Sequence, residues 1–529
     1  MRYNKIENDY TSYAEQVKTS TLVSKVLAFR NCTENEIEQL FYQPTHLSEN
    51  KSSILQTIVE RIQLAKKNCE KVFVGGDYDA DGLCATTIMV DTLNRLGIEN
   101  GYYIPNRFKD GYGLNTKVVK QAYEKGYTLI ITVDNGVKAY EACDLASELG
   151  IEVIILDHHE LEELPKSYAI LHPDYLDTQF KGLSGAGITL QVAKELVGEN
   201  DLHIALAAVA TLGDVMCLWN ENRIIVRLGL KRINESKVPH LSALLDAPHK
   251  TVTEKDLAFQ IVPKLNAVGR LQEIANPNNV VKYFLQNNPQ EIQKFANQMI
   301  HINNQRKEIT LQMNVLAEKK DLNDDFIILH DERFHEGLVG LLAGKIASKY
   351  NKPTLIFTEN DGMYKGSGRS ALGFDLYSFF QEDFEEFKSF GGHRDAIGCS
   401  IDKDNFNLFL QKVKNKYSLV EINRDPVEDV CLIHSDDITL ESVEEYLQLA
   451  PFGQGFKDVC FAIEGLKVKS KQLIKGKFLK ITFDNKIDSI WFDYDGVSEI
   501  DKLKTVIGEL SINEFNGRKK CSILIKNID

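Results

Sequence analysis

An α/β protein is predicted, built on a doubly wound parallel sheet, with a second, smaller α/β domain joined to it by a long helix and an all-β barrel at the C-terminus. Three observations carry this. Short apolar runs alternate with helical stretches from residue 71 to about 230. The alternation restarts at "DFIILH", residues 325–330, after a helical region. Beyond about 425 five β-like runs of similar spacing take over. A chain of 529 residues exceeds one ordinary core, so about three or four domains are expected.

In chain order, residues 1–68 read as a helical segment, with stretches such as "ENEIEQLF" and "SSILQTIVERIQLAKK". Residues 69–230 form the first α/β domain. Its strands are "KVFVGG", "TLIITV" and "EVIIL", and its helices include "CATTIMVDTLNRLG" and "KAYEACDLASELG". Residues 231–322 are a helical connector whose last part, 288–320, is long, amphipathic and free of internal Gly and Pro after its start. Residues 323–415 are the second α/β unit, with helix "LVGLLAGKIASKY" and strand "PTLIFT". Residues 425–529 carry the five runs, and five strands fit an OB-fold.

Composition is that of a soluble globular protein, 43% hydrophobic and 26% charged. No apolar run approaches ~20 residues, so neither a membrane span nor a membrane partner is expected. The polar N-terminus "MRYNKIENDYTSYAEQ" is not a secretory signal. Nine scattered cysteines without a CxxC pair predict a reduced, cytoplasmic protein without structural zinc. The net charge of −14 weighs against nucleic acid unless basic residues are concentrated locally, and suits a site that collects divalent cations.

In an open parallel sheet chemistry gathers at the carboxyl ends of the strands. "VFVGG" runs into Asp77, Asp79 and Asp81, "LIITV" into Asp134, and "EVIIL" into Asp157, His158 and His159. The apolar run "IALAAVATLG" delivers Asp214. Singly these are ordinary; an Asp in such a place is most often a helix cap. Six carboxylates and two imidazoles on one edge repel without cations. Two divalent metals would balance them, a shared carboxylate bridging the pair, and mixed Asp and His ligation favours Mn²⁺ over Mg²⁺. A two-metal phosphohydrolase is predicted on this ground alone.

"GDYDADG", "VDNG", "DHH" and "GDVM", in that order, resemble the DHH phosphoesterase superfamily. "PKLNAVGRL" (263–271), "GLVGLLAGKIASKY" (337–350), "KGSGRS" (365–370) and "GGHRDAIGCS" (391–400) resemble more narrowly the RecJ family of single-strand-specific 5′→3′ exonucleases. The last two motifs belong to its DHHA1 domain, and "APFGQGF" (450–456) is similar to the start of its OB domain. The resemblance implies Asp79, Asp81, Asp134, His158 and Asp214 as metal ligands, with Asp134 as the bridge. Asp77 would orient a ligand, Asp157 would hold an imidazole, and His159 would touch the scissile phosphate. Arg107, in "NRFKDGYGL", and Arg270, Ser367, Arg369, Ser370, Gly391, Gly392 and His393 would contact phosphates. Phe334 stands where the family usually has Trp, a stacking ring retained, and Gly213 where Ala commonly precedes the fourth-motif Asp.

"KVKSKQLIKGKFLK" packs six lysines, Lys475 and Lys477 among them, into fourteen residues, near Phe478, Phe483, Trp491 and Phe492. Such a mixture suits single-stranded nucleic acid, through phosphate attraction and base stacking. Lysines guarding an edge over an aromatic core would look the same. The lysines favour DNA; the aromatics are evenly balanced. The expected function is a Mn²⁺/Mg²⁺-dependent exonuclease acting on single-stranded DNA from a 5′ end, releasing 5′-mononucleotides in repair or recombination. A monomer is expected, with a helicase and a single-strand-binding protein as candidate partners. Two rivals are weaker. Enzymes for short oligonucleotides or cyclic dinucleotides lack the barrel, and a non-catalytic replication scaffold would have lost the acids.

Overall fold

The computed structural model describes residues 2–247, 251–360, 362–381, 384–420, 427–494, 496, 503–515 and 517–528. The expected start of the barrel domain at 425 lies outside them.

The first α/β domain is the parallel sheet predicted. Its strand order is Asn100–Tyr103, Val72–Gly75, Leu129–Val133, Glu152–Leu156, Ala169–Leu171, every pair parallel. Val72–Gly75 and Leu129–Val133 are fully buried apolar strands, as a sheet covered on both faces requires. The chain leaves Val72–Gly75 toward one side and returns on its other side at Leu129–Val133. The topological switch point, where such sheets open a crevice, therefore lies between these two strands.

Helix Ala80–Leu96 packs against Gly185–Val197 and Asp201–Gly213 on one face of the sheet. The run before Asp214 is thus a helix, and Asp214 is its C-cap rather than an N-cap. Gly213 sits tightly: an added Cβ would lie 3.3 Å from Val262 and 3.4 Å from Ala80. The long connector is a single helix, Pro289–Ala317.

The second α/β unit is a five-stranded mixed sheet whose order is Phe387–His393, Ala396–Asp402, Met363–Arg369, Thr354–Asn360, Ile327–His330. Its last helix, Phe406–Tyr417, runs two residues past the expected boundary at 415. Phe334 is 2% exposed and packs among Leu329, Leu338 and Leu342. The expectation of a stacking ring there is corrected: that ring is core.

At the C-terminus the five expected runs become six strands. "CFAIEGLKVKS" breaks at Gly465 into Phe461–Glu464 and Val468–Ile474. Gly465 has φ +79°, and a Cβ would fall 2.2 Å from the His434 ring, so a side chain is excluded there. The sheet has eight strands in all. Val427–His434 joins Phe461–Glu464, and residues 2–6 add an outer strand parallel to Val427–His434. The helical reading of 1–68 therefore fails at Arg2–Ile6, and the segment is divided. Leu22, Leu27 and Leu40 share the C-terminal core, whereas Leu55, Ile58 and Ile62 share the core of the first domain.

Candidate metal centre and interdomain cleft

Asp77, Asp79 and Asp81 leave Val72–Gly75 and enter the next helix. Asp79 is its N-cap, accepting from Gly82 N at 3.0 Å. Asp81 turns inward and accepts from Gly185 N and Ala186 N, 2.7 Å each, at the start of helix Gly185–Val197. Two amides and a helix N-terminus thus hold this buried carboxylate.

Asp134, at the neighbouring strand end, adopts φ +60°, a conformation Asp tolerates better than most residues. Gly185 makes room for it: a Cβ there would lie 2.5 Å from Asp134 Cβ. Asn135 fixes the turn, donating to Gly75 O at 3.1 Å and Val133 O at 2.9 Å.

His158 Nε2 faces three carboxylates at once, Asp134 at 3.1 Å, Asp214 at 3.5 Å and Asp81 at 3.6 Å. One ring nitrogen cannot satisfy three acids. Burial, with the charge of His159, pushes His158 down to about 4, so the ring is neutral. His159 differs. Burial opposes its charge, but the hydrogen bond and charge of Asp157, 2.7 Å away, raise it to about 9. Asp157 also accepts from His158 N, His159 N and Val137 N. Despite its burial, those bonds hold it at about 2. Asp157 thus orients His159, not His158.

The remaining acids behave oppositely. Burial and neighbouring carboxylates push Asp81 to about 7 and Asp214 to about 8, and Asp77 and Asp134 well above the carboxylate range. Asp77 Oδ1 is buried without a hydrogen-bond partner. Three groups bring ligand atoms within 4.8 Å of one another: Asp77/Asp79/Asp134, Asp81/His158/Asp214 and Asp134/His158/His159. Asp134 and His158 each belong to two. The unpartnered oxygen, the neutral imidazole and the uncompensated acids fit divalent cations.

Beside these acids stands a cluster of arginines. Arg270 is pushed down to about 10 by burial and by the charges of Arg107 and Arg369, and Arg369 is lowered in the same way. The Arg107 guanidinium lies 5.3 Å from the Tyr78 ring centre, and the residue's backbone N–H donates to Gln272 Oε1 at 2.7 Å. Arg369 donates to Ser367 Oγ at 3.1 Å. A cavity of about 500 Å³ beside His158 and His159 is lined by Tyr112, Asp157, Gly392 and His393 among others, and so brings the DHHA1-side residues Gly392 and His393 up to the two imidazoles.

Ser370 Oγ donates to Phe374 O within its own turn. Lys475 and Lys477 sit in the turn joining Val468–Ile474, the edge strand of the C-terminal sheet, to Phe478–Phe483. Trp491 and Phe483 are 3% and 0% exposed, core residues unable to stack on a base, whereas Phe492 is 49% exposed.

Three residues of the site were not anticipated. Tyr112 donates to Asp134 O at 2.9 Å and lies 3.1 Å from His159 Nε2. Asn266 accepts from Ala80 N at 2.7 Å, and Gln272 holds Arg107. Only Tyr112 carried a signal: an aromatic between two glycines of positive φ, Gly111 and Gly113.

Models of known families match three stretches: the DHH family N-terminal domain at 71–213, the DHHA1 domain at 323–418 and the RecJ OB domain at 431–527. A single-stranded-DNA-specific exonuclease RecJ from Bacillus subtilis is 32% identical over 98% of this chain and 69% of its own. The Escherichia coli protein of the same name is 32% identical over 90% of both chains. Among solved structures, Thermus thermophilus RecJ in complex with Mn²⁺ matches the fold with a TM-score of 0.85 at 24% identity, covering 100% of this chain and 79% of that one. An exonuclease RecJ bound to manganese is 28% identical with a TM-score of 0.62, covering 72% of this chain and 97% of that one.

Proposed function

The chain belongs to the RecJ family and is a metal-dependent exonuclease of single-stranded DNA; we propose that it takes its strand by the 5′ end, works inward and releases 5′-mononucleotides. The observation that carries this reading is the juxtaposition of opposite charges, the acids and His158 beside an arginine cluster in which Arg107 acts on Asp77 and Asp79 acts on Arg270.

Asp77, Asp79 and Asp134 would hold one cation and Asp81, His158 and Asp214 a second, with Asp134 between them. Divalent cations bound there, Mn²⁺ or Mg²⁺, supply Lewis-acid activation of water and phosphate. Asp77 is thereby a ligand as well as a neighbour of ligands, its free oxygen being the reason. His159, its Nδ1 committed to Asp157 and its Nε2 beside the Tyr112 hydroxyl, would bring a positive charge to the scissile phosphate. Tyr112 fixes that ring from the cleft side. Arg107, Arg270 and Arg369, with Ser367, Gly391, Gly392 and His393, would hold the terminal and flanking phosphates. Lys475 and Lys477 would draw the strand toward the barrel.

This reading keeps residues 69–230 as the catalytic domain, 231–322 as connector, 323–415 as the DHHA1 unit and 425–529 as the DNA-binding barrel, in a cytoplasmic monomer. A helicase feeding it single strands and a single-strand-binding protein are the partners such an activity needs in repair and recombination. The test is digestion of single strands labelled at either end, with Mn²⁺. Loss should begin at the 5′ label, release mononucleotides and stall at duplex. Processive loss from the 3′ end, or equal rates on blunt duplex, would sink the reading.

A further inference from the structure

The helix that carries Arg270 contains an irregular turn. Residues 254–256 and 262–270 are α-helical, and Leu257–Ile261 between them is a π-turn. Such turns insert a residue, re-aim the side chains before them, and gather at functional sites. Here the re-aimed side chain is Phe259, which is 78% exposed, while Leu257 and Ile261 on either side are buried. An aromatic ring left in water on an ordered helix is unusual, because burying it would gain roughly 1.5–3 kcal/mol.

The register says what the helix faces. Pro263, Asn266 and Arg270 recur at the three- and four-residue steps that place side chains on one face of the α-helix, and Phe259 stands in the π-turn that leads into it. The last two are already in the site: Asn266 accepts from Ala80 N beside the acids, and Arg270 sits in the arginine cluster. On a neighbouring face Val262 packs against Gly213, next to Asp214. The opposite end of the helix is tied to the C-terminal sheet, where Lys255 pairs with Asp458 at 2.6 Å and Glu509 at 3.4 Å. This helical stretch therefore runs from the barrel, past the acids, to the arginines, and Phe259 stands exposed near its barrel end.

We propose that Phe259 is a positioning residue on which a nucleobase of the incoming strand stacks, on the 3′ side of the scissile phosphate. This rests on the 5′-end reading above. Phe259 precedes Arg270 by eleven residues, about 16 Å along the helix axis. An extended strand with its 5′ phosphate at Arg270 passes Phe259 with its third or fourth base. A flat, solvated ring there suits every base, because each has a π-face, so grip is gained without sequence preference. The π-turn is the device that keeps the ring outward.

The test pairs Phe259→Ala with abasic substitutions walked along a 5′-phosphorylated single strand. In the wild type an abasic site at the third or fourth position should raise KM roughly 5- to 150-fold, the scale of one stacked base. Phe259→Ala should raise KM on the intact strand by a similar factor and lose sensitivity to the abasic site at that position alone. Phe259→Trp should restore both. A purely structural role would leave the abasic profile of Phe259→Ala parallel to that of the wild type, and that result overturns the proposal, as does a flat wild-type profile. A wild type that digests from the 3′ end fails the 5′-end reading instead, a distinguishable outcome.

Discussion

The acids and the arginines of the site are each a cluster of like charge, and they meet that problem in opposite ways. The acids can shed their charge. Asp81 and Asp214 are pushed to about 7 and 8, so protons neutralise them near neutral pH when no cation is bound. The arginines cannot. Arg270 is lowered only to about 10 and stays charged under any physiological condition. The acids thus have two ways to be neutral, a proton or a metal, and the arginines have one, an anion. The charge of the acids is consequently sensitive to pH, whereas that of the arginines is fixed.

The sharpest break of that contrast is Asp134→Ala. It should lower turnover by roughly a thousandfold or more, the scale of losing a principal electrostatic stabiliser. It should leave the apo protein folded, since removing one acid from a like-charged cluster relieves repulsion. Turnover in saturating Mn²⁺ and a thermal melt measure both halves. Wild-type rates would refute the shared position of Asp134.

Arg369→Ala comes next, among the arginines. One lost charge-assisted contact is worth about 1.5–3 kcal/mol, so KM on 5′-phosphorylated strands should rise about ten- to a hundredfold, and less on 5′-hydroxyl strands. Steady-state kinetics on the two substrates make the comparison.

A third experiment exploits the proton–metal competition. Cations must displace protons from Asp81 and Asp214, so apparent Mn²⁺ affinity should fall as pH drops through 8 and 7, with proton release on binding. Calorimetry in buffers of different ionisation enthalpy measures that release. Affinity independent of pH between 6 and 8 would contradict the protonated acids.

The smallest effect belongs to the barrel hairpin. Lys475→Ala or Lys477→Ala should weaken single-strand binding uniformly across sequences, each reducing the salt slope by about one or less. Titrations at several salt concentrations measure that slope.

What could be read from the sequence divides along the same physical line. Strand-end motifs are local, so Asp77, Asp79, Asp81, Asp134 and the Asp157–His159 run announced the acid cluster and its parallel sheet. Phe483 was legible too: it shares the alternation of Leu479 and Ile481, both buried, so the period-two rule places it in the core. Other features depend on pairings between distant residues. Arg2–Ile6 is a strand because it lies beside Val427–His434, and nothing in "RYNKI" shows that partner. Asn266 and Gln272 matter because the connector crosses the first domain. The π-turn has its mark in Pro263, which has no N–H to give the carbonyl of Phe259 four residues back.

In the proposed metal centre Asp134, which belongs to two of the candidate ligand groups, would stand between two cations. Anomalous diffraction from crystals soaked in Mn²⁺ tests it most directly. Two peaks about 3.5–4 Å apart, one beside Asp77 and Asp79, one beside Asp81, His158 and Asp214, with Asp134 reaching both, are the expected result. A single peak, or two that Asp134 does not touch, would contradict it.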